Sequence, residues 1–235
     1  TSLAAGGLIS TNAVRSEAHA YVDDAQITTT GASADVVVSA DNTASLTATT
    51  VNAVTAGEQA IGATLAFNTI GWQAQNVLFN TVDALLGDPL IAEAFGGNVG
   101  SGATAWIQGS TVDAQGTVLV SATSATELSA SISNVTTAGE ETDTHLVGGS
   151  GFSFGAVLTL NKVSGAAEAY ISGGSVSGEG GIEVSADDAA VIDSSITLSS
   201  TSVANDDNTN PFVGGSSVGV SAGIALNDVR GGANA

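Results

Sequence analysis

The stretch Ala169-Tyr170-Ile171, with Val176 and then Val184-Ser185-Ala186 downstream of it, has two counterparts earlier in the chain. Ala20-Tyr21-Val22 precedes Ile27 and Val38-Ser39-Ala40, and Ala105-Trp106-Ile107 precedes Val112 and Val120-Ser121-Ala122. Six residues after each of these Ser-Ala pairs stands an aliphatic residue, Leu46, Leu128 or Ile192. A third block reads Leu65-Ala66-Phe67-Asn68, Leu158-Thr159-Leu160-Asn161 and Ile224-Ala225-Leu226-Asn227. The aromatic markers lie 85 and 64 residues apart, and self-similarity of this kind marks an array of repeats. Residues 5–15 align with residues 222–230 once a two-residue slip is allowed, so the two ends share nearly one phase of the repeat.

Within each unit, short runs such as Thr117-Val118-Leu119-Val120-Ser121-Ala122 alternate with period two and are punctuated by Gly, Asn, Asp, Ser and Thr, a strand signal. The expected fold is all-β, a right-handed parallel β-helix or solenoid, with about three coils of roughly 20 residues in each repeat of about 65. Small inward residues suit a narrow core, and only 10 aromatics are present, few for a sandwich of this length. A sandwich tandem and an antiparallel barrel share the strand spacing and are the competing folds. The expected organisation is one solenoid of three repeats, at about 18–102, 103–166 and 167–235, with residues 1–17 closing a preceding repeat.

Residues 71–89 break the array. Apolar residues at 74, 78, 82, 85 and 86 follow a helical period, and Gly87 followed by Pro89 is a stop signal. One amphipathic helix is expected within an insert at 72–96. Its Trp72, Leu78, Val82, Leu85 and Leu86 would cover a side of the solenoid, or dock a partner or the next subunit. No basic residue lies in the segment, which argues against a membrane-surface helix.

The chain of 235 residues carries 3 basic and 23 acidic side chains, a net charge of −20. Such a surface repels phosphate backbones and anionic lipid, so nucleic-acid partners and membrane adhesion are not expected. No run of 18 apolar residues suggests membrane insertion. With Cys 0 there are no disulfides, thiol nucleophiles or cysteine-ligated zinc, and with Met 0 the chain reads as a processed product or a piece of a longer one.

The candidate sites follow from the repeats. Asn12, Asn68, Asn161 and Asn227 recur at one position and are expected in tight turns, where Asn tolerates positive φ and its amide can bond turn backbone or a neighbouring Asn. Oxygen-rich acidic loops are what calcium requires. The best is Asp206, Asp207, Asn208 and Asn210, followed by Asp187-Asp188 and Asp23-Asp24, and the plainer reading of each is a solvated acidic turn. Tyr21, Trp106 and Tyr170 share one phase and, at three coils apart, are too distant for successive sugars, so coil-edge packing is expected. His19 corresponds to Thr104, Glu168 and Asn234, a variable surface position, and His145 follows an acidic run in a loop. Basic residues are limited to Arg15, Lys162 and Arg230, and no nucleophile or paired-carboxylate pattern appears, so an enzyme is not expected.

The Ala-Tyr-Ile, Val-Ser-Ala and Leu-Ala-Leu-Asn blocks, with Gly-Trp-Gln-Ala-Gln-Asn-Val-Leu-Phe-Asn and Leu-Leu-Gly-Asp-Pro-Leu, resemble the repeat regions of giant secreted bacterial adhesins of the filamentous-haemagglutinin-like kind. The resemblance covers essentially the whole chain. It implies a right-handed parallel β-helix, export to the cell surface or medium, and a structural role in adhesion, biofilm matrix or fibres. The expected partners are other copies stacked end to end, the rest of a longer chain, or surface glycans. The alternative is a calcium-dependent β-helix that binds or degrades carbohydrate.

Overall fold

The computed structural model describes residues 2–71, 101–139, 151–203 and 216–235. Thirteen β-strands account for nearly all of them: β1 (Leu3–Val14), β2 (Glu17–Asp23), β3 (Gln26–Thr28), β4 (Val36–Ala56), β5 (Gln59–Ile70), β6 (Ser101–Gln108), β7 (Thr111–Ala114), β8 (Thr117–Ala138), β9 (Gly151–Ser172), β10 (Ser175–Gly178), β11 (Gly181–Ser202), β12 (Ser217–Arg230) and β13 (Ala233–Asn234). There is no helix among the described residues. The expected helix in the 72–96 insert, with Trp72, Leu78, Val82, Leu85 and Leu86, lies outside them, as do His145 and the 205–210 loop.

Every strand pairing is parallel, and three sheets result. The first stacks β1, β5, β9 and β12 along one half and β2, β6, β9 and β13 along the other. The second is β3-β7-β10 and the third β4-β8-β11. The repeat blocks align in this register: Tyr21 opposite Trp106 opposite Tyr170, and Val38 opposite Val120 opposite Val184.

The register corrects the expected coil count. Thr117 pairs with Gly181, and across the neighbouring strands Ser177 bonds Asp113 at a separation of 64 residues. Strands one repeat apart are therefore neighbours, and each repeat contributes one long layer rather than three short coils. A 22-residue strand such as β9 or β11 extends about 70 Å at the usual rise per residue.

The third sheet faces the first, and apolar residues of alternating parity meet between them. One cluster joins Val38, Val120 and Ala122 of the third sheet to Ala103, Ala105, Ile107 and Ala169 of the first. A second joins Leu46, Leu128 and Ile132 to Ala66, Ile70, Val157 and Val163. The prevalence of Ala allows the sheets to close on one another with few bulky side chains. A polar seam separates the clusters, where Asn42 donates to Ser101 Oγ at 3.0 Å and the hydroxyls of Ser16 and Ser101 lie 3.1 Å apart. Asn42 is thereby satisfied within the seam, whereas Ser124 Oγ and Asp188 Oδ1, in the same column on β8 and β11, are buried without a hydrogen-bond partner.

Candidate functional site: two side-chain ladders and an apolar face

Asn12, Asn68, Asn161 and Asn227 stand at the same register position in β1, β5, β9 and β12. Identical residues in adjacent parallel strands bring their amides within bonding range. Asn12 Nδ2 donates to Asn68 Oδ1 at 2.9 Å, Asn68 Nδ2 to Asn161 Oδ1 at 2.9 Å, and Asn161 Nδ2 to Asn227 Oδ1 at 2.8 Å. Asn161 Nδ2 also reaches Ser194 Oγ at 2.9 Å on the facing sheet. The turn reading is thereby corrected. All four sit inside strands, and among the described residues the non-glycine positive φ angles belong to Asp24 and Ser33. Two residues after each Asn comes Val14, Ile70, Val163 or Val229, and that shared parity is the signal that places the amides on the inner face.

A second interior amide depends on glycine. Asn134 is fully buried on β8 and donates to the carbonyl oxygens of Gly62 (3.2 Å) and Ala156 (3.0 Å), tying the facing sheets together. A side chain at Gly62 would collide with it, since a Cβ there would lie 2.8 Å from Asn134 Oδ1.

On the outer face of the first sheet, Tyr21, Trp106 and Tyr170 form a stack. Ring centroids are 4.7 Å apart for Tyr21 and Trp106 and 6.1 Å for Trp106 and Tyr170, with planes within 11° and 8° of parallel. His19 meets Trp106 edge-on at 6.0 Å, and its Nε2 lies 3.5 Å from Glu17 Oε2. The expectation that these aromatics stand three coils apart is corrected: they occupy successive layers. Because the rings cover one another, the flat surfaces left open are those at the two ends of the stack. The Tyr21–Trp106 contact should contribute a coupling of about 0.5–1.5 kcal/mol in a double-mutant cycle of Tyr21→Ala and Trp106→Ala read by urea unfolding. Strict additivity of the two substitutions would show that the stack contributes nothing beyond burial.

The outer face of β1, β5, β9 and β12 is more apolar than the inner one. In register across it run Ile9, Leu65, Leu158 and Ile224, then Thr11, Phe67, Leu160 and Leu226. Phe67 and Leu160 are buried, with Leu65 and Leu158 packed against them, while Ile9, Ile224 and Leu226 are exposed.

The acidic candidates are dispersed. Asp187 and Asp188 are consecutive in β11, so their side chains take opposite faces, and Asp188 points inward toward Gly165 and Gly231. Asp23 ends β2, and Asp24 follows in a turn at φ 46°, where its N–H donates to the Gln108 carbonyl at 3.0 Å. No group of three or more His, Asp or Glu able to hold a metal occurs among the described residues. His19 shares its ladder position with Thr104, Glu168 and Asn234 and is half-exposed. Two of the three basic residues meet one carboxylate, with Lys162 Nζ 3.6 Å and Arg230 Nε 3.2 Å from Asp228 Oδ2.

These ladders are extended structural features that run across the layers, and among the described residues they bring together no converging set of acids, bases or nucleophiles. No family model, no curated protein and no solved structure matches the chain.

Proposed function

We propose that the chain is a segment of a parallel β-solenoid acting as a structural spacer in an extracellular bacterial adhesin or fibre, and that copies of it associate end to end. The supporting observation is the asparagine ladder, which passes through four successive layers in one register. A structure that adds one equivalent layer per repeat gains length without changing cross-section, which is what a spacer requires. Its exposed ladders, not a pocket, meet partners, and it performs no catalysis. Electron microscopy of the purified chain in calcium and in chelator tests this reading. Unbranched fibres of constant width are expected in both. Fibres confined to calcium would assign the ion a role in the acidic turns, and compact particles under all conditions would remove the end-to-end association.

A second reading, calcium-dependent glycan binding, is favoured by the exposed face of Tyr21 at the end of the aromatic stack. It predicts that a soluble polysaccharide quenches tryptophan fluorescence in the presence of calcium and that Trp106→Phe shifts the signal. An unchanged spectrum at saturating polysaccharide would leave the spacer reading alone.

A further inference from the structure

The two ends of the layered stack are not alike. In the first layer β4 keeps its inward side chains covered, with Val38 and Leu46 each 6% exposed. At the other end Ile182 of β11 is 48% exposed, although its register partner Val118 is fully buried. The last layer is also stepped. β12 and β13 lie on β9, while among the described strands none lies on the free edges of β10 and β11. Such an edge is a template for a further parallel strand.

Two observations indicate what fits there. First, β1 and β12 hold the same phase of the repeat. Asn12 and Asn227 belong to one ladder, as do Val14 and Val229. Second, the ladder has a direction, because each amide donates toward the C-terminal layer, leaving Asn227 Nδ2 at the open end. The surface that completes it presents a parallel strand with an asparagine oxygen at the same register, and this chain carries such a strand in its own N-terminal layer.

Resting on the end-to-end reading above, we propose that a second copy docks by strand exchange: its β4 pairs along β11, and β12 takes the place that β1 holds in the free copy. Were β1 to remain and sit on β12, β4 of the second copy would lie about two strand spacings above β11, leaving an empty slot along that edge. Exchange removes the slot and continues all three sheets, with the two-residue β13 giving way to the longer β2 of the second copy, whose Ala18 and His19 hold the same columns as Ala233 and Asn234. The twelve positions that β1 occupies against β5 are refilled by β12, and the pairing of β4 on β11 is the net gain. Asn227 Nδ2 then donates to Asn68 Oδ1 of the second copy. Val38 and Leu46 of the second copy cover Val184 and Ile192. The contact is heterologous and does not close, so it propagates. Asp41 and Asp187 share one ladder column, and their approach makes added salt favourable to assembly.

Sedimentation velocity on the whole chain and three variants tests the exchange. Deletion of residues 1–14 removes the strand that must leave, and faster elongation than wild type is expected. Asn227→Asp keeps the acceptor for Asn161 and loses the onward donor, so elongation should fall by about fivefold. Gly7→Cys with Ala63→Cys, in-register partners on the outer face of β1 and β5, locks β1 in place when oxidised. The locked form should stay monomeric and should elongate once reduced, a readout that does not depend on the deletion folding. Elongation by the oxidised lock at the wild-type rate would overturn strand exchange while leaving end-to-end association intact. Absence of elongation by wild type at every salt concentration would overturn both.

Discussion

Replacing Asn161 with Ala should lower the free energy of unfolding by about 3 kcal/mol, the sum expected for orphaning buried hydrogen-bonding groups. Asn161 is fully buried at the centre of the ladder, accepts from Asn68 and donates to both Asn227 and Ser194. Truncation leaves the Asn68 amide pointing at a void and removes the donor shared by two acceptors. The same change at Asn12, an end member with one ladder partner, should cost about 1 kcal/mol, the usual net worth of one hydrogen bond. Urea midpoints at constant m-value measure both. Equal losses at the two positions would mean that the ladder is not cooperative with the core.

The second large effect is expected at Gly62. A Cβ there would stand 2.7 Å from Thr136 Cγ2 and 2.8 Å from Asn134 Oδ1, so Gly62→Val must push the facing sheet away and break the bonds that Asn134 makes to Gly62 and Ala156. Overpacking together with an unmade buried hydrogen bond should cost about 3 kcal/mol. Gly7, on the outer side of β1, has nothing within 4 Å of its virtual Cβ. Gly7→Val should therefore be neutral or stabilising by about 0.5 kcal/mol, because a β-branched residue replaces a flexible one in a strand. A thermal or urea melt that ranks the two substitutions the other way would contradict the interior position of Gly62.

The repeat blocks were legible because identical residues in identical order became ladder partners: the alignments of Tyr21 with Trp106 and Tyr170, and of His19 with Thr104, Glu168 and Asn234, are the observed registers. The size of a layer was not legible. Period-two alternation is the same in a short strand and in one of 22 residues, and Asp187-Asp188, which reads as a solvated acidic turn, lies within β11. In an in-register parallel stack a polar side chain can bond the layers above and below, so Asn, Ser and Thr lose their value as punctuation. The bend that ends β2, β6 and β9 is marked instead by one residue in left-handed conformation in each layer, Asp24 at φ 46°, Gly109 at φ 59° and Gly173 at φ 67°. The aromatic stack is hidden for the same reason, since three coils to a repeat would separate rings that in fact stand in adjacent strands.

The register also bears on how the chain acquires its structure. The nearest strand pairing joins β1 to β5, where Asn12 and Asn68 are 56 residues apart, and β5 must reach 93 residues along the sequence to find β9. Pairings of such span are slow to form, because a long loop must close before any ladder bond is gained. The ladder between β4 and β8 cannot be complete until residue 138 has emerged. A strand of one layer therefore waits without its ladder until its partner a repeat downstream has been made, and the layers close only as the chain lengthens past each of them.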